Sequence, residues 1–230
     1  MVDECLWSHG WGTKGCHMDL DSQTKDLAEN WGADFFGIAD LSTARDAVSA
    51  QGGVDVSEYP RAISIGVILL NPIVNQLPQR TERAAALGYR HHLYNVTDRR
   101  LDLVTSRLGS TVQREGYRAL PIPASEQYDE HLCGVFSHKL AAHLAGLGWI
   151  GKNCLMIPPE VGPRVRWATV LTDAPLEATG QPIEQRCGTC TQCEEICPVQ
   201  ALKGQPFRTS EPRQARFDAH KCDRYFDQMS

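Results

Sequence analysis

Four closely spaced cysteines are the residues of this sequence best suited to chemistry. They are Cys187, Cys190, Cys193 and Cys197 in the segment CGTCTQCEEICP, with the spacing C-x2-C-x2-C-x3-C followed directly by Pro198. Three thiolates on one tight loop can hold three corners of an iron–sulfur cubane, and this spacing is that of bacterial ferredoxin loops. The run therefore predicts a [4Fe-4S] cluster in preference to zinc, which is usually bound by two C-x2-C pairs separated along the chain.

The last cysteine of the run leaves the number of clusters open. In ferredoxin loops of this type the cysteine before the proline binds a second cluster. Cys187, Cys190 and Cys193 would then hold one cubane, and Cys197 would serve another. A second run is expected downstream, but Cys222 is the one cysteine that follows. Three alternatives stay open: a part of a longer two-cluster protein, one cluster on all four cysteines, or a second site that combines Cys222 with ligands from a partner.

Composition and charge narrow the class of protein. The length of 230 residues suits one α/β domain, alone or with a small appendage, and a composition of 42% hydrophobic and 22% charged residues is that of an ordinary globular protein. The net charge of −5 argues against a nucleic-acid partner, which normally meets a basic surface. The longest apolar run, from Ala62 to Leu70, is too short to span a bilayer, and the polar N-terminus has no signal-peptide pattern. We therefore expect a cytoplasmic protein with reduced thiols and no membrane partner.

Alternating helical and extended patterns indicate an α/β sandwich over about residues 21–175. Helices are predicted over 21–31, 41–50, 82–114 with a break near Gly88, and 136–144, and strands over 34–39, 62–70, 117–122, 154–157 and 165–171. Two prolines mark 71–79 as a loop. Residues 1–20 have an irregular pattern, and a shift to Pro, Gly and Glu after Thr172 predicts a linker into a cluster module over 176–230. A short helix is expected after Pro198, at 199–202.

Two segments match the pattern G-x-G-x-x-G: GWGTKG at 10–15 and GLGWIG at 146–151. Neither follows a predicted strand, so neither fits a dinucleotide-binding turn. The first is interpreted as a glycine-rich arm. The glycines of the second permit close approach of the backbone to another group, and Lys152 directly after it can meet an anion. A tight helix-to-strand turn is the alternative for this second segment.

The remaining histidines and cysteines do not form a recognisable reactive set. His91 and His92 lie in a polar stretch and are expected at the surface. His138 and His143 are five residues apart on one predicted helix, so they share a face poorly and do not suggest a metal pair. The remaining cysteines are expected to be free thiols, the last two of them buried: Cys5, Cys16, Cys133 and Cys154.

One long segment ahead of the cysteine run resembles the epoxyqueuosine reductase family: FSHKLAAHLAGLGWIGKNCLMIPPEVGPRVRWATVLTDAPL. The strongest signals are GLGWIGKNCL, the strand ending in LTDAPLE and the cysteine run, with weaker similarity at DFFGIADL and YRALPIPAS. Their order and spacing are specific to the superfamily, which includes corrinoid-dependent reductive dehalogenases, rather than to one activity. The resemblance covers most of residues 24–226. It implies a nitroreductase-like (cobalamin-reductase type) α/β sandwich with a small C-terminal ferredoxin-like [4Fe-4S] module.

The resemblance also implies cofactors and the residues that bind them. Enzymes of this family bind cobalamin in the α/β domain and two [4Fe-4S] clusters in the C-terminal domain, and electrons pass through the clusters to cobalt for a reductive elimination. Carried over to this sequence, the cluster ligands are the four cysteines of the run with Cys222. The cofactor-binding positions are Ser137, His138, Gly148, Trp149, Gly151 and Lys152.

Two departures from the family pattern shape the functional expectation. The family aspartate that protonates the substrate falls near 132–135, where this chain has no acid, although Asp129 and Glu130 lie close by. The last three cysteines of the second run have no counterpart. We expect an oxidoreductase that passes electrons from a [4Fe-4S] cluster to a bound corrinoid for a reductive reaction, supplied by a donor such as a ferredoxin or flavodoxin. The alternative is a non-catalytic electron-transfer or accessory protein that reduces a corrinoid protein or another redox partner.

Overall fold

The structure is a computed structural model, and it describes residues 19–42, 44–51, 55–127 and 129–228. Cys5, Cys16 and the GWGTKG segment lie outside the described residues. The described α-helices are α1 (Leu20–Asn30), α2 (Arg45–Ala50), α3 (Asn71–Val74), α4 (Arg83–Arg90), α5 (Asp98–Arg114), α6 (His138–Leu144), α7 (Gln192–Ile196) and α8 (Ala219–Gln228). A π-helical segment (His91–Thr97) joins α4 to α5, and 3-10 turns cover Leu77–Gln79 and Arg213–Ala215. Within these ranges, no helix combines the length and apolar character needed to cross a membrane.

Six strands complete the fold: β1 (Phe35–Asp40), β2 (Arg61–Ile68), β3 (Ala119–Ile122), β4 (Trp149–Ile150), β5 (Met156–Ile157) and β6 (Val165–Thr172). Four of them form the central sheet in the order β1-β2-β6-β3, and β4 pairs with β5 in a separate hairpin. Every pairing is antiparallel, and β2 and β6 pair over their full length, with Arg61 opposite Thr172 and Ile68 opposite Val165.

Helices cover both faces of the sheet, and this explains why its central strands are almost wholly buried. Helices α1 and α5 pack on one face, where Leu101 and Leu108 meet Ile63 and Ile65 in a fully buried core. Helix α6 packs on the other face and contacts β1, β2 and β6, with Leu140 fully buried. The predicted α/β sandwich is therefore present, with antiparallel strands at its centre.

Two predicted helical features differ in the structure. Helix α1 begins earlier than expected, because Asp19 rather than Asp21 accepts the hydrogen bond of the Ser22 N–H, at 2.8 Å. The two helices predicted over 82–114 are present, but the interruption predicted near Gly88 lies further along the chain, because Gly88 is inside α4. The irregularity comes later, in the π-helical segment, where the Thr97 hydroxyl donates to the His92 carbonyl five residues earlier at 2.9 Å.

Two connections are more ordered than their composition suggests. The predicted loop at 71–79 contains α3 and a 3-10 turn, and each has proline in its first turn, where the missing N–H needs no partner. The linker after the sheet does not run free. Thr179 exchanges hydrogen bonds with Ile38 of β1, and Arg61 donates to the Leu176 carbonyl at 2.8 Å. The segment that leads to the cysteine run is thereby fixed along the edge of the sheet.

Candidate functional site

The cysteine run forms a short surface loop with one turn of helix inside it. Cys187, Cys193 and Cys197 are partly exposed and Cys190 is exposed, and all four are free thiols. The Cys190 N–H donates to the Cys187 carbonyl at 2.9 Å, and α7 carries Cys193. The helix predicted at 199–202 is wrong. Those residues form a turn in which Gln200 has a φ of +49°, so the chain reverses after the run instead of entering a helix.

Backbone N–H groups surround the sulfur of the last cysteine. The Ala201 N–H lies 3.3 Å from the Cys197 Sγ atom. Burial by itself raises the pKa of the Cys197 thiol, but hydrogen bonds from the N–H groups of residues 199–202 outweigh it and lower the pKa. The turn thus stabilises a thiolate. Thiolates with backbone N–H donors are the ligands that iron–sulfur clusters require, so the donor chemistry of the run fits a cluster.

The final helix brings the fifth cysteine towards the run. An antiparallel bridge between Leu202 and Phe217 places the segment after the run beside the start of α8, which carries Cys222. Burial raises the pKa of the Cys222 thiol, and the nearby Cys197 adds to the rise, so these two sulfurs interact. Across the residues that the structure describes, no three Cys, His, Asp or Glu side chains are grouped as a metal site. The predicted ligand set therefore stays a prediction.

The GLGWIGK segment forms a tight turn between α6 and β4, the structural alternative given by its sequence. Gly146 has a φ of +77°, and a side chain there would lie 2.9 Å from the Gln181 carbonyl oxygen. A side chain at Gly148 would clash with the Ile157 carbonyl oxygen on the facing strand. The glycines therefore permit close packing of the chain on itself. Gly151 likewise faces the side chain of Ile157.

The same turn contacts the cysteine loop. The Lys152 ammonium group donates to the Cys190 carbonyl at 3.2 Å, and the Arg186 guanidinium lies 5.4 Å from the centre of the Trp149 ring. Two of the residues predicted to bind a cofactor thus lie between the sheet domain and the predicted cluster.

A cavity of about 420 Å³ opens to solvent on the α6 side of the sheet. Ser137 and His138 belong to its lining, whereas the predicted positions Gly148, Trp149, Gly151 and Lys152 do not. Several lining residues were not predicted: Tyr94, Glu126, Cys133, Lys139, Cys154, Arg166, Trp167, Arg213 and Arg216. Their signal in the sequence is weak, because they come from segments far apart in the chain, and two arginines come from beyond the cysteine run.

His138 supports the wall of the cavity in its neutral form. Its Nδ1 atom lies 2.9 Å from the Thr169 hydroxyl, and its Nε2 atom lies 3.1 Å from the Pro123 carbonyl. Nε2 therefore donates to the carbonyl and Nδ1 accepts from the hydroxyl. Burial lowers the pKa of His138 to about 4, which keeps the ring uncharged. His143 makes a different contact from His138, because its Nδ1 atom lies 3.3 Å from the Gly148 carbonyl.

A buried ion pair fixes one cation at the cavity wall. Arg166 on β6 binds both carboxylate oxygens of Asp98, at 2.9 and 2.7 Å, and Asp98 is only 4% exposed. The Ser125 hydroxyl also donates to Asp98. The Arg166 guanidinium lies 5.3 Å from the centre of the Tyr94 ring, which the π-helical segment presents. Asp98 balances the charge of Arg166, and the pair orients it.

Three further cations line the cavity without such a carboxylate. Lys139 donates to the Cys154 carbonyl at 2.7 Å, and burial lowers the pKa of Lys139 to about 8. Arg213 donates to the carbonyls of His131 and Leu132. Arg216 is only 2% exposed, and one of its terminal nitrogens donates to the Gln51 side-chain oxygen at 2.8 Å.

The acids near the expected proton-donor position point elsewhere. The Asp129 carboxylate accepts hydrogen bonds from the N–H groups of His131 and Cys133, and Glu130 is exposed. Leu132 lies at the cavity with a φ of +58°. Among the described lining residues Glu126 is the one carboxylic acid.

Comparisons with known proteins support the resemblance found in the sequence. No family model matches the chain. The epoxyqueuosine reductase of Bacillus anthracis is 40% identical over 88 residues, which cover 38% of this chain and 23% of that protein. That of Gloeobacter violaceus is 44% identical over 92 residues, 40% of this chain and 26% of that protein. The epoxyqueuosine reductase of Pseudomonas aeruginosa is 31% identical over 140 residues, which cover 61% of this chain and 33% of that protein. The chain thus spans 23–33% of the length of these relatives.

Solved structures show the same fold. A reductive dehalogenase whose structure suggests a mechanism for B12-dependent dehalogenation matches with a TM-score of 0.64 at 19% identity, over 93% of this chain and 30% of that chain. An epoxyqueuosine reductase with an epoxyqueuosine-modified tRNA-Tyr stem loop matches with a TM-score of 0.51 at 22% identity, over 88% and 55%. The predicted similarity to epoxyqueuosine reductases and the α/β fold are confirmed.

Proposed function

We propose that this chain, similar in part to epoxyqueuosine reductases, is an iron–sulfur oxidoreductase unit that delivers electrons to a reaction in the cavity. The observation that carries the proposal is the contact between Lys152 of the glycine-rich turn and the Cys190 carbonyl of the cysteine loop. It joins the predicted electron carrier to the domain that contains the cavity. The substrate is reduced there, and a ferredoxin or flavodoxin supplies the electrons.

The cysteine loop performs the electron-transfer part of this function. In the first arrangement one [4Fe-4S] cluster is held by all four cysteines of the run, Cys187, Cys190, Cys193 and Cys197. In the second arrangement the first three hold one cluster, and Cys197 and Cys222 contribute to another. The bridge between Leu202 and Phe217, which places the start of α8 beside the segment after the run, supports the second arrangement. The backbone N–H groups around Cys197 stabilise negative charge on sulfur and thereby influence the reduction potential.

A corrinoid fits only partly in the cavity. Drug-sized ligands fill pockets of about 300–1,000 Å³, and a corrinoid is larger than such ligands. The open cavity of about 420 Å³ would therefore hold only part of a corrinoid. Trp167 and Ser137 both line this cavity, and the buried indole N–H of Trp167 has no partner among the described residues. Corrinoids accept such hydrogen bonds through peripheral amide groups. When bound, a corrinoid would supply a strongly reducing metal centre.

The protein's own groups would orient the substrate and provide the proton. His138 stays neutral and holds the wall between Thr169 and Pro123. Glu126 lines the cavity, and we assign it the proton-donor role because residues 132–135 carry no acid.

A second function is favoured by the exposure of the cysteine loop. Cys190 is exposed, and Ile196 inside the run is 77% exposed. Such a surface suits transient contact with a redox partner. In this case the chain would reduce a corrinoid protein or another partner without turning over a substrate itself.

Metal analysis of anaerobically purified protein tests the proposal. Iron, sulfide, zinc and cobalt are counted per chain, with and without added cobalamin. About four irons indicate one self-contained cubane and about eight indicate two clusters. Zinc in place of iron would contradict the proposal. Stoichiometric uptake of cobalamin supports the reductase, whereas iron without cobalamin uptake supports the electron-transfer protein. The similarity to an epoxyqueuosine reductase solved with a tRNA stem loop makes nucleic acid a relevant substrate, against the expectation from the net charge of −5, and a parallel titration with tRNA tests it.

A further inference from the structure

The cavity carries far more positive than negative charge. Lys139, Arg166, Arg213 and Arg216 line it, and Glu126 is the one acid among the described lining residues. Asp98 neutralises Arg166 at 2.7 Å. The other three cations have no such partner.

No described carboxylate lies within ion-pair distance of Lys139, Arg213 or Arg216. Glu211 interacts electrostatically with Arg216 but forms its ion pair with Arg208, at 3.2 Å. The three cations instead donate to neutral oxygens, so none of them has an ion-pair partner among the described residues, and Arg216 has only its longer-range interaction with Glu211. Burying a charge without a counter-charge is costly, and proteins normally avoid it.

The guanidinium groups also retain unused hydrogen-bond donors. Within the part of the chain that the structure describes, the buried Nε atoms of Arg213 and Arg216 have no hydrogen-bond partner, and neither has the buried indole N–H of Trp167. Arg216 is only 2% exposed, yet it belongs to the cavity lining. The Phe207 ring, 4.6 Å from its guanidinium, holds it in place. Arg216 is thereby held in the wall with its charge beside the cavity, and a guanidinium fixed in this way suits an oxyanion.

We propose that this cavity binds the anionic group, a carboxylate or phosphate, of a small substrate between Arg216, Arg213 and Lys139. This assignment rests on the proposed function, because it names the substrate class of the same cavity. The two arginines come from the segment after the cysteine run, so the predicted cluster module itself completes the binding site. A bound anion supplies the missing counter-charge.

The test measures binding to the complete, cluster-loaded protein by calorimetry. The probes are benzoate, its neutral isostere benzamide, and inorganic phosphate. We expect benzoate or phosphate to bind with a Kd below about 1 mM and benzamide not to bind. Arg216→Gln should weaken binding about ten- to hundredfold, because it removes a charge-assisted hydrogen bond. Lys139→Gln is the second variant, and Arg99→Gln, at an exposed position of α5, is the charge-matched control.

The outcomes separate this inference from the function on which it rests. Full iron content with no anion binding overturns the anion site but leaves the reductase proposal intact. Anion binding by protein that contains no iron supports the anion site but contradicts the reductase proposal. Equal weakening by Arg99→Gln would show a general charge effect and overturn the site. The phosphodiester of a corrinoid is the other source of an anion. If Arg216→Gln weakens cobalamin but neither cobinamide, which lacks that phosphodiester, nor benzoate, the substrate assignment is wrong.

Discussion

Replacing the buried lysine of the cavity should stabilise the unliganded protein. The pKa of Lys139 falls from 10.5 to about 8, first because of burial and further because Arg213 and Arg216 lie close. Holding the charged form at pH 7 therefore costs about 3 kcal/mol, since each pKa unit corresponds to about 1.4 kcal/mol. Lys139→Met removes this cost but also loses the hydrogen bond to the Cys154 carbonyl, which contributes about 1 kcal/mol. The expected net gain is about 2 kcal/mol.

The stability difference between Lys139→Met and the wild-type protein should depend on pH. Between about pH 8 and 10.5 Lys139 is neutral in the folded protein but still protonated in the unfolded chain. The unfolded chain then binds more protons, so the stability of the wild-type protein rises with pH across this window. The stability advantage of Lys139→Met should accordingly be full below about pH 8 and disappear as the pH approaches 10.5. Subtracting the two curves removes titrations that both proteins share.

Anaerobic urea unfolding at a series of pH values between 7 and 10 measures this difference. Lys25→Met is the control, because Lys25 is an exposed residue whose pair with Glu29, at 3.9 Å, contributes little. The reasoning is refuted if Lys139→Met is less stable than the wild type at pH 7, or if the difference between the two proteins does not change with pH. Lys139→Met should also bind benzoate more weakly, because it removes one of the cations proposed to bind the anion. A group that lowers stability in this way is retained because function requires it.

Three further substitutions test other parts of the structure. Cys190→Ser should abolish the full iron complement, and a variant that retained it would show that the ligand assignment is wrong. Asp98→Asn should lower the free energy of unfolding by about 3 kcal/mol, because it leaves Arg166 without its buried counter-charge; unchanged urea unfolding would contradict the pair. Gly148→Ala should cost at least about 2 kcal/mol because of the clash with the facing strand, whereas Gly88→Ala, with open space around it in α4, should be neutral or stabilising.

Matched controls keep these effects specific. Cys154→Ser changes a buried thiol outside the cysteine run and should leave the iron count unchanged. Asp46→Asn removes an exposed carboxylate from α2 and should change stability by less than about 0.5 kcal/mol. If either control behaves like its test variant, the assigned mechanism is wrong for that site.

Local sequence patterns were sufficient for most of the elements. The strands predicted at 34–39, 62–70 and 165–171 correspond to β1, β2 and β6, because both faces of the sheet are covered and most side chains there are buried and apolar. The helix predicted at 136–144 corresponds to α6, which Ser137 caps through the Leu140 N–H. Spacing alone also identified the cysteine run, since three thiolates within one loop need no distant partner.

Only the tertiary structure assembled the cavity. Lys139 lies at the start of α6, Arg166 in β6 and Arg216 beyond the cysteine run, and no local pattern relates segments so far apart in the chain. Periodicity reports which face of an element is buried, but not which charged groups from other elements share the space. The sequence by itself predicted a sandwich and a loop of four cysteines, because both follow from neighbours along the chain. Folding decided that three cations without an ion-pair partner would line one cavity, because that depends on where the segment after the cysteines packs.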